Sequence, residues 1–378
     1  MFLPLLVVVL LVSCTAKEIV QPASSAADDA ASEAKTAQIN EEATKSESIT
    51  GKEKSSDCGL KPVPRHFTHD KYYTGPLIDT HVHLPVSSPI VSTTAEQMGF
   101  EDMPHRGEIS TDQIICLFDS EGITKTFGFL IQHKSLLKSS VRTVQKDVAK
   151  HGDKIVPFFM PPFPIEGQAP DAAAVDQTLE NNPGLFKGYG EARFDFESIP
   201  NVLPDHDYFQ EMYQLADKHN LVVQIHPKNG QVAILESLLQ KYPNVIFLVH
   251  LMKDDRAEVS RLLEKYPNMY YSLDAEISYI FGYQTIQNNL GPTKEGYINS
   301  LKSRFDSQLK ETLDFWKPVI EAHPNQLAWG SDRWFTWHFD EEVGALIVEF
   351  GRTFIGNLDP TVQEKFAYKN AEKMLNER

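Results

Sequence analysis

The run Leu77-Ile78-Asp79-Thr80-His81-Val82-His83 decides how this chain is read. It is short, largely apolar or β-branched, and closes on two histidines spaced two apart. Side chains two apart on a strand project from the same face, so both imidazoles can meet one ion while Val82 points elsewhere. Four further runs end in the same manner: residues 186–191 on Glu191, 221–226 on His226, 245–250 on His250 and 327–332 on Asp332. A single such ending has an ordinary explanation as a hydrogen-bonded structural residue. Five in one chain point to an architecture that gathers the C-terminal ends of its strands around one pocket, as the (β/α)8 TIM barrel does.

From about Phe67 onward, strand-like and helix-like runs alternate. Strands are expected at residues 76–83, 124–130, 154–160, 186–191, 221–226, 245–250, 269–273 and 327–331, with helices between them. Ser110-x-x-Gln113 reads as a capping box opening a helix that ends near Gly122, and Asp207-x-x-Gln210 as the cap of another. Two helices, near 341–350 and 361–375, close the chain. The strand runs are mostly continuous rather than alternating, as in strands covered by helices. A doubly wound sheet would place a Gly-rich phosphate turn after its first strand, and Thr80-His81-Val82-His83 is not one.

The 378 residues hold one large barrel plus a tail. The net charge of -16 repels phosphate backbones, so no nucleic-acid partner is expected. Residues 1–14 are apolar, too short to span a membrane, and end Leu11-Val12-Ser13-Cys14, which resembles a bacterial lipobox. On that reading Cys14 is lipidated, its acyl chains anchor the protein to a membrane, and Thr15 favours the outer membrane of the cell envelope, facing the periplasm. An ordinary signal peptide with an incidental cysteine is the competing reading. Residues 15–66 are rich in Ala, Ser, Glu, Lys and Thr, and no aromatic occurs between Phe2 and Phe67. Such a segment buries too little apolar surface to offset chain ordering, so a disordered tether is expected, followed by the barrel at 67–378. Cys58 and Cys116 either pair in an oxidising compartment or stay free.

Glu191 lies in Lys187-Gly188-Tyr189-Gly190-Glu191-Ala192-Arg193, where alternation puts Lys187, Tyr189, Glu191 and Arg193 on one face. Glu191 can therefore ligate or bridge a metal, or pair with Arg193 or Lys187. Asp79 shares a face with His81 and His83 and is a candidate to orient a histidine. The Gly330-Ser331 lead-in to Asp332 implies close backbone approach to a site. Arg193 and Lys228 are candidate anchors for an anionic substrate group, and Trp334 and Trp337 candidate pocket walls.

With these motifs in order, the chain resembles the amidohydrolase superfamily, in particular its amidohydrolase-related (type 2) metal-dependent hydrolases. The resemblance rests on residues 77–83, the histidines closing strands five and six, Gly330-Ser331-Asp332 and the closing Asn370-Ala371-Glu372-Lys373-Met374-Leu375. It implies a TIM barrel with His81, His83, His226 and Asp332 around a first metal. His250 is implied as a second-metal ligand or a substrate-polarising histidine, and Glu191 stands where some branches place a metal carboxylate. One or two divalent ions follow, Zn²⁺ first, with Mn²⁺, Fe²⁺ or Ni²⁺ as alternatives. The implied reaction is hydrolysis of a small molecule at an ester, lactone or amide carbonyl, with Asp332 accepting a proton from the attacking water and His250 or a second ion stabilising the oxyanion. The alternatives are a metal-dependent non-oxidative decarboxylase and a non-catalytic surface lipoprotein that keeps the barrel.

Overall fold

The computed structural model describes residues 60–85, 109–162, 165, 167–194, 202–228, 230–250, 252, 256–274 and 294–376. The chain divides into Met1–Ser55 and Ser56–Arg378, and the described residues all belong to the latter. The leader, Cys14, Cys58 and the tether as far as residue 59 lie outside them.

Eight parallel strands follow one another in sequence order: β1 Leu77–His83, β2 Ile123–Ile131, β3 Ile155–Met160, β4 Gly188–Arg193, β5 Val222–His226, β6 Phe247–Val249, β7 Met269–Leu273 and β8 Leu327–Trp329. Helices α1 Thr111–Glu121, α2 Leu137–His151, α3 Ala172–Asn181, α4 Asp207–His219, α5 Val232–Lys241, α6 Arg256–Lys265 and α7 Lys294–Ala322 alternate with them. After β8 come α8 Glu341–Gly356, α9 Pro360–Glu364 and α10 Asn370–Asn376. The chain beyond β8 returns to β1: Val82 bridges Arg333, and the His83 N–H donates to the Arg333 carbonyl at 2.9 Å. The result is a nearly closed TIM barrel.

The barrel interior is filled rather than hollow. Ile78, Phe127, Phe129, Val156, Phe158, Val222, Leu248, Tyr270 and Ala328 form its core. The Phe158 ring lies 5.1 Å from that of Phe127 and 4.8 Å from that of Phe129. Each buried ring contributes about 1.5–3 kcal/mol. Ala371 and Met374 of α10 join this cluster, and the Asn370 side-chain amide donates to the Pro324 and Leu327 carbonyls at 3.0 and 2.7 Å. The closing helix thus seals the barrel against the strand that carries Ala328. Residues of opposite parity, among them Leu77, Val82, Phe159, Val223, Phe247 and Tyr271, pack outward under the helices.

Two β-bulges re-aim the strands that carry the candidate ligands. β1 takes three steps from Asp79 to Val82 while β2 takes two, from Thr126 to Gly128. β4 takes three from Tyr189 to Ala192 while β5 takes two, from Val223 to Ile225. An extra residue shifts every later side chain to the other face. Tyr189 accordingly packs outward beside Phe159, with ring centroids 6.3 Å apart, and does not share a face with Glu191 as simple alternation implied.

Local signals are met with small differences. The Ser110 capping box forms: its hydroxyl accepts from the Gln113 N–H at 3.2 Å and Gln113 Oε1 accepts from the Ser110 N–H at 2.9 Å. The cap of α4 is His206 rather than Asp207, its Nδ1 accepting from the Tyr208 N–H, while Gln210 donates back to the Asp205 carbonyl. The final helix expected at 361–375 is divided by a π turn, Lys365–Lys369, that buries Phe366 and Ala367. Cys116 of α1 is disulfide-bonded, so the reading of it as a free thiol is set aside.

Candidate metal centre

The rim end of β1 supplies two imidazoles. Nε2 of His81 and Nε2 of His83 face each other at 3.1 Å. Glu191, on the bulged end of β4, presents Oε2 at 3.9 Å from the first and 3.5 Å from the second. Asp332 presents Oδ1 at 3.4 and 3.5 Å from the same two nitrogens. Four N or O donors roughly 2.0–2.1 Å from one ion stand roughly 3.3–3.4 Å apart in a tetrahedron. The separations among His81, His83 and Glu191 scatter around that edge length and these three form one group of ligand atoms, while Asp332 groups with His81, His250 and Asp274. Among the described residues, Oε2 of Glu191 and Nδ1 of His83 are buried without a hydrogen-bond partner. A buried carboxylate oxygen lacking a donor is costly, and a divalent cation is the chemical complement of this donor set.

The other oxygen of Glu191 faces β5 and β6. Oε1 lies 2.9 Å from Nδ1 of His226 and 2.8 Å from Nε2 of His250. Glu191 therefore spans two groups of ligand atoms, His81 with His83 on one side and His226 with His250 on the other. Sequence reasoning placed His226 with the β1 histidines; the structure sets it against Glu191 and His250. Arg193 stands behind, its Nε 3.8 Å from Glu191 Oε1.

The approach of β4 depends on Gly190, whose φ is +122°. A Cβ there would lie 2.3 Å from the Gln224 carbonyl of β5, so only glycine lets the strand close on its neighbour and deliver Glu191. Asp332 has a left-handed backbone, φ +49°. Both flanking residues are pinned to β1: Ser331 donates through N–H and Oγ to Asp79 at 2.9 and 2.5 Å, and Arg333 accepts from the His83 N–H. Asp79 also accepts from the His81 N–H at 3.1 Å. It thus fastens β1 to the Asp332 turn and orients no imidazole, a consequence of the β1 bulge. Arg333 is fully buried and pairs with Glu121 of α1, at 2.8 Å.

Sequence reasoning missed Asp274, which follows β7 and is fully buried. Its Oδ2 lies 2.9 Å from Nδ1 of His81 and its Oδ1 3.3 Å from Nδ1 of His250. The signal was available: Met269 to Leu273 is another strand closed by a carboxylate. His338 was missed too. Its Nδ1 accepts from the Trp334 N–H at 3.2 Å, holding Trp334 where its ring centre lies 6.4 Å from that of His83. Burial, with help from Arg333 and His83, pushes the His338 imidazole well below its ordinary range, so it stays neutral. Trp337 stacks on Phe335, as a cover of this end of the barrel would. Lys187 and Lys228 are exposed, Lys187 at the entrance of β4.

The electrostatics are those of a tightly coupled cluster. Burial opposes the charge on His250, but Asp274 and Glu191 outweigh it and hold the imidazole well above its usual range. His81 is raised on the same balance by Asp332 and Asp274. Burial likewise opposes the charges of Glu191 and Asp274; Arg193, His226 and His250 keep Glu191 well below the usual carboxylate range, and His250 and His81 do the same for Asp274. Acid and base are both present, shielded from solvent, around one small volume.

The sequence profile Amidohydro_2, described as amidohydrolase, matches residues 78–376. No curated protein matches the sequence. Among solved structures, an amidohydrolase from Burkholderia multivorans with bound HEPES superposes with a TM-score of 0.51 at 12% identity, covering 80% of this chain and 99% of that one. A second crystal form of a B. multivorans amidohydrolase, with bound zinc, gives 0.51 at 11% identity over the same shares. A 2,6-dihydroxybenzoate decarboxylase from Rhizobium gives 0.49 at 11% identity, again over 80% and 99%. At these identities the structural likeness speaks to the fold.

Proposed function

The chain belongs to the amidohydrolase family, and from that premise we propose that it is a metal-dependent hydrolase acting on an ester, lactone or amide carbonyl of a small molecule. The observation that carries this reading is the buried Oε2 of Glu191, which has no donor and faces His81 and His83 with Asp332 beside them. His81, His83 and Glu191 would hold one divalent ion with Asp332 beside the two histidines, and His226 and His250 with Oε1 of Glu191 could hold a second. When bound, such an ion brings the pKa of water from 15.7 toward about 7 and polarises a carbonyl. Zn²⁺ suits the mixed imidazole and carboxylate donors, with Mn²⁺, Fe²⁺ and Ni²⁺ as alternatives.

The chain's own residues divide the remaining work. Asp332 is the most open carboxylate of the cluster, its side chain 11% exposed against 1% for Glu191 and none for Asp274. That exposure supports Asp332 as the group that accepts the proton of an attacking water. His250, held between Glu191 and Asp274, is placed to stabilise negative charge developing on the carbonyl oxygen. Trp334 walls the site beside His83, and the half-buried Arg193 supplies a cation for an anionic substrate group.

The leader-like residues 1–14 and the disulfide at Cys116 support export, with Cys14 as the lipid anchor on the periplasmic side of the outer membrane. Among the described residues no helix is long and apolar enough to cross a membrane.

The test is product analysis in ¹⁸O-labelled water across a panel of esters, lactones, amides and aromatic carboxylates. Label in a product acid supports the hydrolase; release of CO₂ without label would replace it with the decarboxylase.

A further inference from the structure

Asp274 takes no part in the reaction outlined above, yet it touches both halves of the cluster. Its two oxygens engage the Nδ1 atoms of His81 on β1 and His250 beyond β6, at 2.9 and 3.3 Å. Both contacts fall on the ring nitrogen that faces away from the other donors: Nε2 of His81 faces His83, and Nε2 of His250 faces Glu191. The loop turn that carries Asp274 is in turn packed under β8, since a Cβ on Gly330 would lie 3.0 Å from the Asp274 Cβ and 2.8 Å from the Ser272 hydroxyl. A side chain at residue 330 would crowd Ser272 and Asp274.

We propose that Asp274 is a positioning residue that fixes the tautomer and orientation of two imidazoles at once, keeping a proton on each Nδ1 and turning each Nε2 toward the centre. The inference rests on the metal-centre reading of the preceding subsection and deepens it. A carboxylate can do this for two rings because it offers two acceptor oxygens and no proton of its own. Asp274 also lies with His81, His250 and Asp332 in a group whose ligand atoms are within 4.8 Å of one another, but both of its oxygens are already engaged by the two Nδ1 atoms. The Gln224 amide, 3.0 Å from His81 Nδ1, fits the assignment with its oxygen toward the ring, an orientation reached by a half-turn of the amide. That half-turn also exchanges the end of the Gln224 amide that lacks a partner.

Asp274→Asn is the discriminating substitution. Its amide oxygen can accept from one Nδ1–H, whereas its NH₂ can only donate, so one of the two rings must change tautomer. In the full-length protein, ¹⁵N-histidine NMR, assigned through His81→Gln and His250→Gln, should show Nδ1 protonated in both rings. In Asp274→Asn one of them should no longer carry a proton at Nδ1. Zn²⁺ affinity, measured by chelator competition, should weaken about 10–100-fold. A folded Asp274→Asn with parental Zn²⁺ affinity would overturn the proposal, as would bare Nδ1 atoms in the parent protein. The parent spectrum decides the matter even where the variant does not fold. A parent that takes up no Zn²⁺ would refute the metal centre itself, while the two tautomers would still report on Asp274.

Discussion

Oε2 of Glu191 lies 3.5 Å from Nε2 of His83, buried and with no hydrogen-bond donor among the described residues. An acceptor-only oxygen in that position is stable next to a cation and costly next to nothing. Glu191→Gln removes the charge and keeps the shape. Bound metal should fall from near-stoichiometric to undetectable by mass spectrometry, with activity down at least about a hundredfold and circular dichroism unchanged. Retained metal would show that Glu191 serves only to pair with His226 and His250.

The two β1 histidines should separate in a stability measurement. His83 has no partner at Nδ1, whereas His81 is bonded to Asp274 and Gln224 and is fully buried. Both alanine substitutions should abolish metal binding. His81→Ala should also lower the unfolding free energy of metal-free protein by about 1–3 kcal/mol, because it strands part of a buried carboxylate. His83→Ala should cost markedly less in denaturant unfolding. The reverse order would mean that the hydrogen bonds of His81 are not made in solution.

Asp332 should act on the chemical step. Asp332→Asn is expected to lower kcat by about 10²–10⁴-fold, the range of general acid–base groups, with little change in KM. Trp334→Ala and Arg193→Met should show the opposite split, raising KM with a smaller effect on kcat, if those side chains hold the substrate. Steady-state kinetics on a substrate found in the panel gives both quantities.

Glu121 offers a pH test outside the cluster. Burial outweighs Arg333 and raises its carboxyl above the ordinary 4.5. The folded state then holds that proton more tightly than the unfolded chain. The resulting stability is present below about 4.5 and is lost as pH climbs through the raised folded value. In chemical unfolding, the stability of the parent relative to Glu121→Gln should therefore decline as pH rises from 4.5. A difference that grows with pH would show Arg333, rather than burial, to dominate.

The fold was legible because a parallel barrel writes itself as apolar runs separated by amphipathic helices, and the candidate cluster because several runs stop at a side chain able to ligate a metal. His81, His83, Glu191, His226, His250 and Asp332 all occupy strand ends and meet in one cluster. The losses have physical causes. A β-bulge is a mismatch between two strands and leaves no mark in either one alone, so Asp79 and Tyr189 were placed on the wrong faces. Which oxygen of Glu191 meets which histidine depends on that same bulge, so the contact of His226 with Glu191 beside His250 was not legible. Asp274 carried the strand-end signal, but it precedes a long stretch without a recognisable motif. His338 acts through the Trp334 backbone, a contact between neighbours that spacing does not reveal.

The central claim is that side chains from separate strands converge to bind a divalent cation. The most direct measurement is titration of chelator-treated, full-length protein with Zn²⁺ and with Mn²⁺, counting bound ions per chain by mass spectrometry and following recovery of activity. One or two tightly held ions per chain are expected, with activity rising in step and no uptake by Glu191→Gln. A folded parent chain that remains empty in excess of both metals would contradict the account.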